Sequence, residues 1–225
     1  MQPLPPKAED VFGRIDDTLT TARHGLDDLL GSDLTRRMSG LRNLIVFGRS
    51  VTFVIQNLRS VFPDEFDTWY QAEQELLRQD PLARYFVEAR NALEKQGKLS
   101  VGTSAFISSF SGTDIRKFGP PPAGAKSFFI GDSLGGSGWE VELSEGNTEK
   151  YYVNLPASIG TVTQHFTNLP AALDPSLRDA PIDELCQRYV DMLSQLVERA
   201  ISRFHPMKQR VPAATEAQSH LRRVK

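Results

Sequence analysis

Apolar residues recur at helical spacing, every three or four positions, along several long stretches of the chain. A first helix is predicted from Ala8, and Gly31 followed by Ser32 ends it. The same spacing predicts helices within Ser39–Val61, over Glu65–Gln79 and over about Pro181–His205. The chain is therefore predicted to be rich in amphipathic helices that pack around a common core.

A fourth helix is predicted over Pro81–Gln96, because residues at both of its ends favour helix boundaries there. Asp80 is a good N-cap residue because its carboxylate accepts hydrogen bonds from the free amides of the first turn. Pro81 suits the first helical position, which needs no amide donor, and Gly97 suits the left-handed turn that ends a helix.

The segment between Leu99 and Leu155 has a different character. It is richer in glycine, proline and β-forming residues, and apolar and acidic residues alternate from Trp139 to Leu143. The predicted strands are Leu99–Ser108, Ser127–Ile130, Trp139–Leu143 and Lys150–Val153. The predicted fold is therefore α+β and mainly α: a bundle of about five helices with a small antiparallel β insertion.

This pattern divides the chain into four parts. Residues 8–97 form the first part of the bundle, and residues 98–156 form the β insertion. Residues 157–206 complete the bundle with the long C-terminal helix, and residues 207–225 form a disordered basic tail.

Composition narrows the class of protein without naming an activity. The 225 residues are 40% hydrophobic and carry a net charge of −2, so no global field attracts the chain to nucleic acid or to an anionic membrane. The single cysteine, Cys186, excludes an internal disulfide and fits a reducing cytoplasm. No apolar run reaches the roughly 18 residues of a membrane span, so a cytoplasmic protein without membrane contact is expected.

The sequence predicts no metal site and no cofactor. The four histidines lie far apart and make no zinc-binding pair with one another or with Cys186. The segment Gly119–Ser127 departs from the phosphate-binding loop pattern, because Ala125 separates its glycine from its lysine. The glycine-rich segment Gly131–Gly138 is predicted to be a hairpin loop.

The polar pair Arg90-Asn91, near the end of the fourth predicted helix, is the main candidate for chemistry. In one interpretation Arg90 forms an ion pair with Glu94 or Glu88, and Asn91 caps a neighbouring segment. In the other, the planar guanidinium of Arg90 holds a phosphate through two parallel hydrogen bonds. Both interpretations stay open at this point.

The order of the helices and the segment DPLARYFVEARNALEKQG resemble the HEPN superfamily of bacterial helical domains, over about half of the chain. The resemblance implies a HEPN-like bundle, a role in defence, toxin–antitoxin or stress systems, and frequent dimerisation. Active members are metal-independent RNases with an arginine, a polar residue and a nearby histidine. Their arginine and polar residue correspond to Arg90 and Asn91. The position of the histidine corresponds to Lys95, or to Gln96 and Gly97 at longer spacing, and none of these is histidine.

The missing histidine decides which function the sequence favours. Histidine transfers protons near neutral pH, whereas an exposed lysine stays protonated and is a poor base. We therefore expect a degenerate, non-catalytic, HEPN-like binding or interaction protein of the bacterial cytoplasm. The alternatives are a metal-independent RNase that uses Arg90, Asn91 and Lys95, and a structural subunit whose β insertion docks a protein partner.

The expected partners follow from the same helix and its neighbours. A homodimer is predicted, with Trp69, Tyr70, Tyr85 and Phe86 as interface anchors, although these four aromatic side chains would serve equally to fill the core. Any ligand of the Arg90–Lys95 surface should be anionic, and binding of RNA or a nucleotide there should be weak and sensitive to salt.

Overall fold

The structure is a computed structural model that describes residues 7–143 and 146–205. Of these residues 58% are helical and 16% lie in strands, which confirms the predicted α+β class with helix predominating. The helices are α1 (Ala8–Leu30), α2 (Leu34–Val54), α3 (Pro63–Gln79), α4 (Pro81–Gln96), α5 (Pro175–Arg178) and α6 (Ile182–Phe204). The strands are β1 (Val101–Ile107), β2 (Ala125–Ile130), β3 (Ser137–Glu142), β4 (Thr148–Val153) and β5 (Gly160–Phe166). The predicted basic tail lies outside the described residues.

Local capping explains why α4 has the predicted boundaries. The Asp80 carboxylate accepts a hydrogen bond from the backbone amide of Ala83 at 2.8 Å, and Pro81 occupies the first turn. Gly97 has φ +65°, which is the left-handed conformation that ends helices at little cost for glycine. The prediction of a helix over Pro81–Gln96 is therefore confirmed.

Helix α2 differs from its predicted range at both ends. It begins earlier because the Asp33 carboxylate caps it, accepting a hydrogen bond from the amide of Thr35 at 3.0 Å. It ends at Val54, and the chain continues as a 3₁₀ helix over Ile55–Ser60 before α3 begins. The apolar pattern runs through both segments because both bury one side against the same core.

The core lies among the helices, and two glycines set how closely α1 and α2 approach. A side chain on Gly25 would lie 2.6 Å from the backbone nitrogen of Leu44, and one on Gly40 would lie 2.6 Å from the carbonyl oxygen of Gly25. Glycine at these positions therefore permits backbone-to-backbone contact. Helix α6 closes the bundle, and its Tyr189 stacks on Phe86 of α4 with ring centroids 4.0 Å apart.

The strands form two antiparallel sheets where the sequence predicts one. Strands β2, β3 and β4 make a three-stranded meander, whereas β1 pairs with β5 in a separate two-stranded sheet. Strand β5 was not predicted, and it lies in the segment that the sequence assigns to the final part of the bundle. Its pairing partner is separated from it by the whole meander, so no local turn signal announces it.

Arg37 connects the bundle to the β region. Its guanidinium donates hydrogen bonds to the carbonyl oxygen of Leu29, to Gln164 on β5 at 3.3 Å and to Asp183 on α6 at 3.0 Å. The Arg37 side chain is only 14% exposed, and Gln164 also donates to the carbonyl oxygen of Ser133 in the meander. The half-buried Arg37 thus links three helices, α1, α2 and α6, to β5, and Gln164 extends this network to the meander.

Cys186 and the glycine-rich segment before β3 have the structural roles that the sequence predicts. Cys186 is fully buried in the core, and burial raises the pKa of its thiol. The Asp132 carboxylate organises the turn between β2 and β3 by accepting hydrogen bonds from the amides of Leu134 and Gly136. No helix within residues 7–143 and 146–205 is long and apolar enough to cross a membrane.

Candidate functional site

The Arg90-Asn91 pair lies on the surface of α4, and a neighbouring glutamate neutralises the charge of Arg90. A terminal nitrogen of Arg90 lies 2.7 Å from a carboxylate oxygen of Glu94, one helical turn further on. Arg90 also donates to the side-chain oxygen of Asn91 at 3.4 Å. The interpretation in which Arg90 pairs with Glu94 is thus confirmed. Asn91 bonds to Arg90 and caps no neighbouring segment within the described residues.

Lys95, the third predicted site residue, is exposed on the last turn of α4. The guanidinium carbon of Arg90 lies 5.9 Å from the ring centre of Phe53, a half-exposed residue of α2. The surface formed by Arg90, Asn91, Glu94 and Lys95, which we name the RN surface, is open to solvent. A chemical role for these residues stays a prediction of the sequence.

The predicted dimer anchors are mostly part of the protein's own core. Tyr70 is 6% exposed, Tyr85 is 5% exposed and Phe86 is fully buried. Trp69 is half-buried and packs edge-on against Phe204 of α6, with ring centroids 5.2 Å apart. For the three buried rings, the interpretation as core residues is confirmed, and they cannot anchor an interface.

A sizeable cavity among the described residues is a cleft on another side of α4. It has a volume of about 630 Å³ and lies among α2, α3, α4, α6 and the segment that follows β5. Its charged lining consists of Arg49, Arg78, Arg84 and Glu88. Its lining also includes three buried tyrosines, Tyr70, Tyr85 and Tyr189. The volume falls in the range of about 300–1,000 Å³ that is typical of small-molecule sites. We name it the arginine cleft.

None of the three cleft arginines forms an ion pair with a described carboxylate. Arg49 is half-buried; it donates a hydrogen bond to the hydroxyl of Thr52, and its guanidinium carbon lies 4.4 Å from the ring centre of Phe53. Arg78 and Arg84 are exposed at the mouth of the cleft. With Glu88 included, the charged lining carries a net charge of +2.

Two of the three phenol groups in the cleft are held by protein acceptors. The Tyr70 hydroxyl donates to the carbonyl oxygen of Thr52 at 2.9 Å, and the Tyr85 hydroxyl donates to the side-chain oxygen of Asn168 at 3.1 Å. Burial raises the pKa of both groups, so both stay neutral at physiological pH.

The Tyr189 hydroxyl differs, because it has no hydrogen-bond partner in the part of the chain that the structure describes. The side chain is only 3% exposed, and burial raises its pKa although the nearby charge of Arg49 opposes this shift. Its ring is wedged between Phe86, on which it stacks, and Gly48, where an added Cβ would lie 2.7 Å from the ring. The cleft thus has a fixed donor at its floor.

This arrangement is suited to binding an anion. It offers guanidinium and hydroxyl donors around one cavity, and no histidine contributes to the lining described. No group of three or more His, Cys, Asp or Glu side chains within the described ranges is placed to hold a metal ion. Because burial raises the pKa of Tyr85 and Tyr189, both phenols stay protonated near neutral pH, so they can donate hydrogen bonds but cannot accept a proton.

Comparison with protein-family models gives a match to part of the chain. The family model described as bacteriophage lambda protein ea47 matches residues 36–110, about one third of the chain. The matched region contains most of α2, all of α3 and α4, and β1, so it includes all three cleft arginines and the RN surface. No curated protein and no solved structure matches the chain significantly.

The identification of this region with the HEPN superfamily is therefore wrong. The family model that matches α4, the helix that carried the resemblance, is that of bacteriophage lambda protein ea47 and not a HEPN model. An Arg-Asn pair is too short and too common a pattern to distinguish the HEPN superfamily from the phage family. The expectations of dimerisation around this helix and of a role in defence lose the support that the resemblance gave them.

Sequence reasoning also missed the arginine cleft. Arg78 and Arg84 flank the short turn between α3 and α4, and two arginines so close to a helix junction were the available signal. Arg49 and Tyr189 gave no signal, because each fits the helical pattern of its own element and their proximity depends on how α2 packs on α6.

Proposed function

We propose that this protein is a non-catalytic binding protein and that its arginine cleft holds a small anionic ligand. The observation that carries the proposal is the set of three arginines, without carboxylate partners in the described structure, around one cavity of small-molecule size. Like charges around one cavity repel one another, and a bound anion relieves that repulsion. Arginine is also well suited to planar, bidentate contacts with carboxylate and phosphate groups.

Isothermal titration calorimetry with small anions tests the proposal. We expect inorganic phosphate, citrate, benzoate or phenyl phosphate to bind at low salt, and the binding heat to disappear when Arg78 and Arg84 are both changed to Gln. Arg90→Gln is the matched control, because it removes an arginine from α4 outside the cleft. Absence of binding to the wild type, or binding that survives the double substitution, would refute the proposal.

An interaction role for the β region is a second candidate, favoured by apolar side chains that face solvent. Phe106 on β1 is 71% exposed, Phe110 is 46% exposed and Tyr151 on β4 is 56% exposed. Apolar side chains that group together on a surface are typical of contact sites, and Phe106 and Phe110 lie four positions apart at the end of β1. A stoichiometric partner that co-purifies with the wild type from its host, and is lost from a Phe106→Ser, Phe110→Ser variant, would support this role.

The RNase alternative and the homodimer stay predictions of the sequence. Because Arg90 is paired with Glu94, no contact at the RN surface favours cleavage over simple surface pairing. Cleavage of labelled RNA in the presence of a chelator, abolished by Arg90→Ala, would establish the RNase. A dimer mass by light scattering at micromolar concentration would establish the homodimer, and the proposed anion binding does not depend on it.

A further inference from the structure

We propose that the ligand of the arginine cleft is an organic phosphomonoester, whose phosphoryl group lies between Arg49 and the Tyr189 hydroxyl. This inference rests on the proposed function and names the chemical class of the ligand. The apolar body of the ligand packs against Leu77, Val87 and Pro170, which line the same cavity and are half-buried.

The Tyr189 hydroxyl is the first observation behind this assignment. It is buried, and a buried hydroxyl without a partner is unfavourable, so most such groups in proteins have one. The one fully enclosed side-chain nitrogen or oxygen that lacks a partner in the described structure is Nε1 of Trp139. The Tyr189 hydroxyl is therefore not fully enclosed, and its opening is the cleft that the residue lines. An oxygen of the ligand supplies the missing acceptor.

The position of Arg49 is the second observation. Arg49 lines the same cavity as Tyr189 and directly follows Gly48, against which the Tyr189 ring packs. Its hydrogen bond to Thr52 and its contact with Phe53 hold it in place, and α2 supplies it from the half-buried side of the cleft. A preorganised cation beside a free hydroxyl donor forms a site for a group with several acceptor oxygens, as in a phosphoryl group.

The third observation is the net charge of the cleft lining, which favours anions with two negative charges over anions with one. The groups that face the ligand are Arg49 from α2, Arg78 from α3, Arg84 and Glu88 from α4, and neutral phenols, with a net charge of +2. A phosphomonoester carries about −1.5 to −2 at pH 7, because its second pKa is about 6. It therefore balances the lining, whereas a carboxylate or a phosphodiester carries a single negative charge.

A comparison of tyrosine variants tests the role of the hydroxyl. Calorimetry with phenyl phosphate at pH 7.5 should show that Tyr189→Phe binds about tenfold more weakly than the wild type, because one hydrogen bond to a charged group is lost. Tyr85→Phe is the matched control, because the Tyr85 hydroxyl is buried in the same cleft but already donates a hydrogen bond to Asn168. It should bind within about twofold of the wild type, as expected for a hydroxyl that does not contact the ligand.

Both variants lose a single oxygen, and circular dichroism with thermal unfolding shows whether each is folded. Tyr189→Phe that binds as tightly as the wild type would overturn the assigned contact. Equal losses in the two variants would overturn it as well, since the effect would then be general to the cleft.

A second comparison tests the chemical class. Phenyl phosphate should bind more tightly than inorganic phosphate, which lacks the apolar body, and more tightly than benzoate and methyl phenyl phosphate, which carry one charge. Its affinity should rise severalfold from pH 5 to pH 7.5 as the second proton leaves, whereas binding of the diester should not change. Adenosine monophosphate and phosphotyrosine then distinguish a nucleotide from a phosphorylated side chain as the source of the phosphoryl group.

The outcomes separate this inference from the proposed function. If benzoate or the diester binds as tightly as phenyl phosphate, and binding still requires Arg78 and Arg84, the cleft binds anions but the phosphomonoester class is wrong. If no anion in either panel binds, both proposals are wrong.

Discussion

Helix α4 presents two arginines in the same local sequence pattern, and the two have different environments. Arg84 has Glu88 four residues later, and Arg90 has Glu94 four residues later. Arg90 forms the expected ion pair at 2.7 Å, whereas no described carboxylate pairs with Arg84, which faces the arginine cleft. The two positions are six residues apart, so they point about 120° away from each other around the helix.

This comparison teaches that a motif does not show whether an arginine is available to a ligand. On the RN surface, Arg90 is neutralised by a neighbour and the aromatic ring beside it is half-exposed. In the cleft, Arg84 joins Arg49 and Arg78, which come from two other helices, above a buried tyrosine hydroxyl. Availability is decided by the groups that packing brings together.

Charge reversal at the two sites should give the largest difference. Arg78→Glu with Arg84→Glu changes the cleft lining from positive to negative, so affinity for phenyl phosphate should fall by about 100-fold or more. Arg90→Glu with Lys95→Glu changes the net charge by the same amount on the RN surface and should leave affinity within a few-fold. Calorimetry at low salt compares the two, and equal losses would mean that overall charge, not the cleft, governs binding.

A methyl group beneath the cleft should have the next largest effect. Gly48→Ala places a Cβ 2.7 Å from the Tyr189 ring, so it should lower the free energy of unfolding by about 1–3 kcal/mol and weaken anion binding. Gly13→Ala is the control, since nothing lies within 4 Å of its added Cβ in α1. There the gain should be about 0.5–1 kcal/mol because alanine favours the helix, as urea denaturation would measure. A Gly48→Ala variant of unchanged stability would contradict the close packing of α2 on α6.

Alkaline pH should have a smaller effect, which is a loss of stability caused by the buried Tyr189. The pKa of Tyr189 is raised in the folded protein, so its contribution is fully present below pH 10 and is lost as the pH rises through the higher folded value. Tyr189→Phe should therefore reduce the loss of stability above pH 10, by up to about 1.4 kcal/mol for each pH unit between the unfolded and the folded pKa.

Tyr151→Phe is the control for this alkaline effect, because Tyr151 is 56% exposed on β4. Its pH profile of stability, from urea denaturation at successive pH values, should follow the wild type. The same slope for all three proteins would show that burial of Tyr189 does not resist ionisation.

The smallest effect is expected from removal of the Arg90 ion pair. Glu94→Gln should lower the free energy of unfolding by about 0.3–0.5 kcal/mol, since exposed pairs one helical turn apart contribute little. Glu88→Gln is the control on the cleft side, where no such pair exists, and it should strengthen anion binding by removing a negative charge. Urea denaturation would measure the free energy of unfolding of both variants. A loss above about 1 kcal/mol for Glu94→Gln would mean that the RN surface has a structural role beyond one surface pair.

Sequence reasoning succeeded where the signal lies within one element. The ends of α4 follow from Asp80, Pro81 and Gly97, and the burial of Cys186 follows from the apolar stripe of α6. It failed at β5 and at the start of α2, and the short Arg90-Asn91 pair led to the wrong family. These failures involve long-range pairing, a missed cap at Asp33 and a motif too short to be specific.

The sequence by itself determined which segments are helical or extended, because caps, periodicity and turn residues act over a few neighbouring positions. Only the tertiary structure decided that Arg49 and Tyr189 line one cavity with Arg78 and Arg84, since Arg49 and Tyr189 come from helices distant along the chain from the junction of α3 and α4. It also decided that Arg90 is paired while Arg84 is not, although both have a glutamate one turn away. The physical reason is that charge pairing and burial depend on distances in space, which local sequence patterns do not contain.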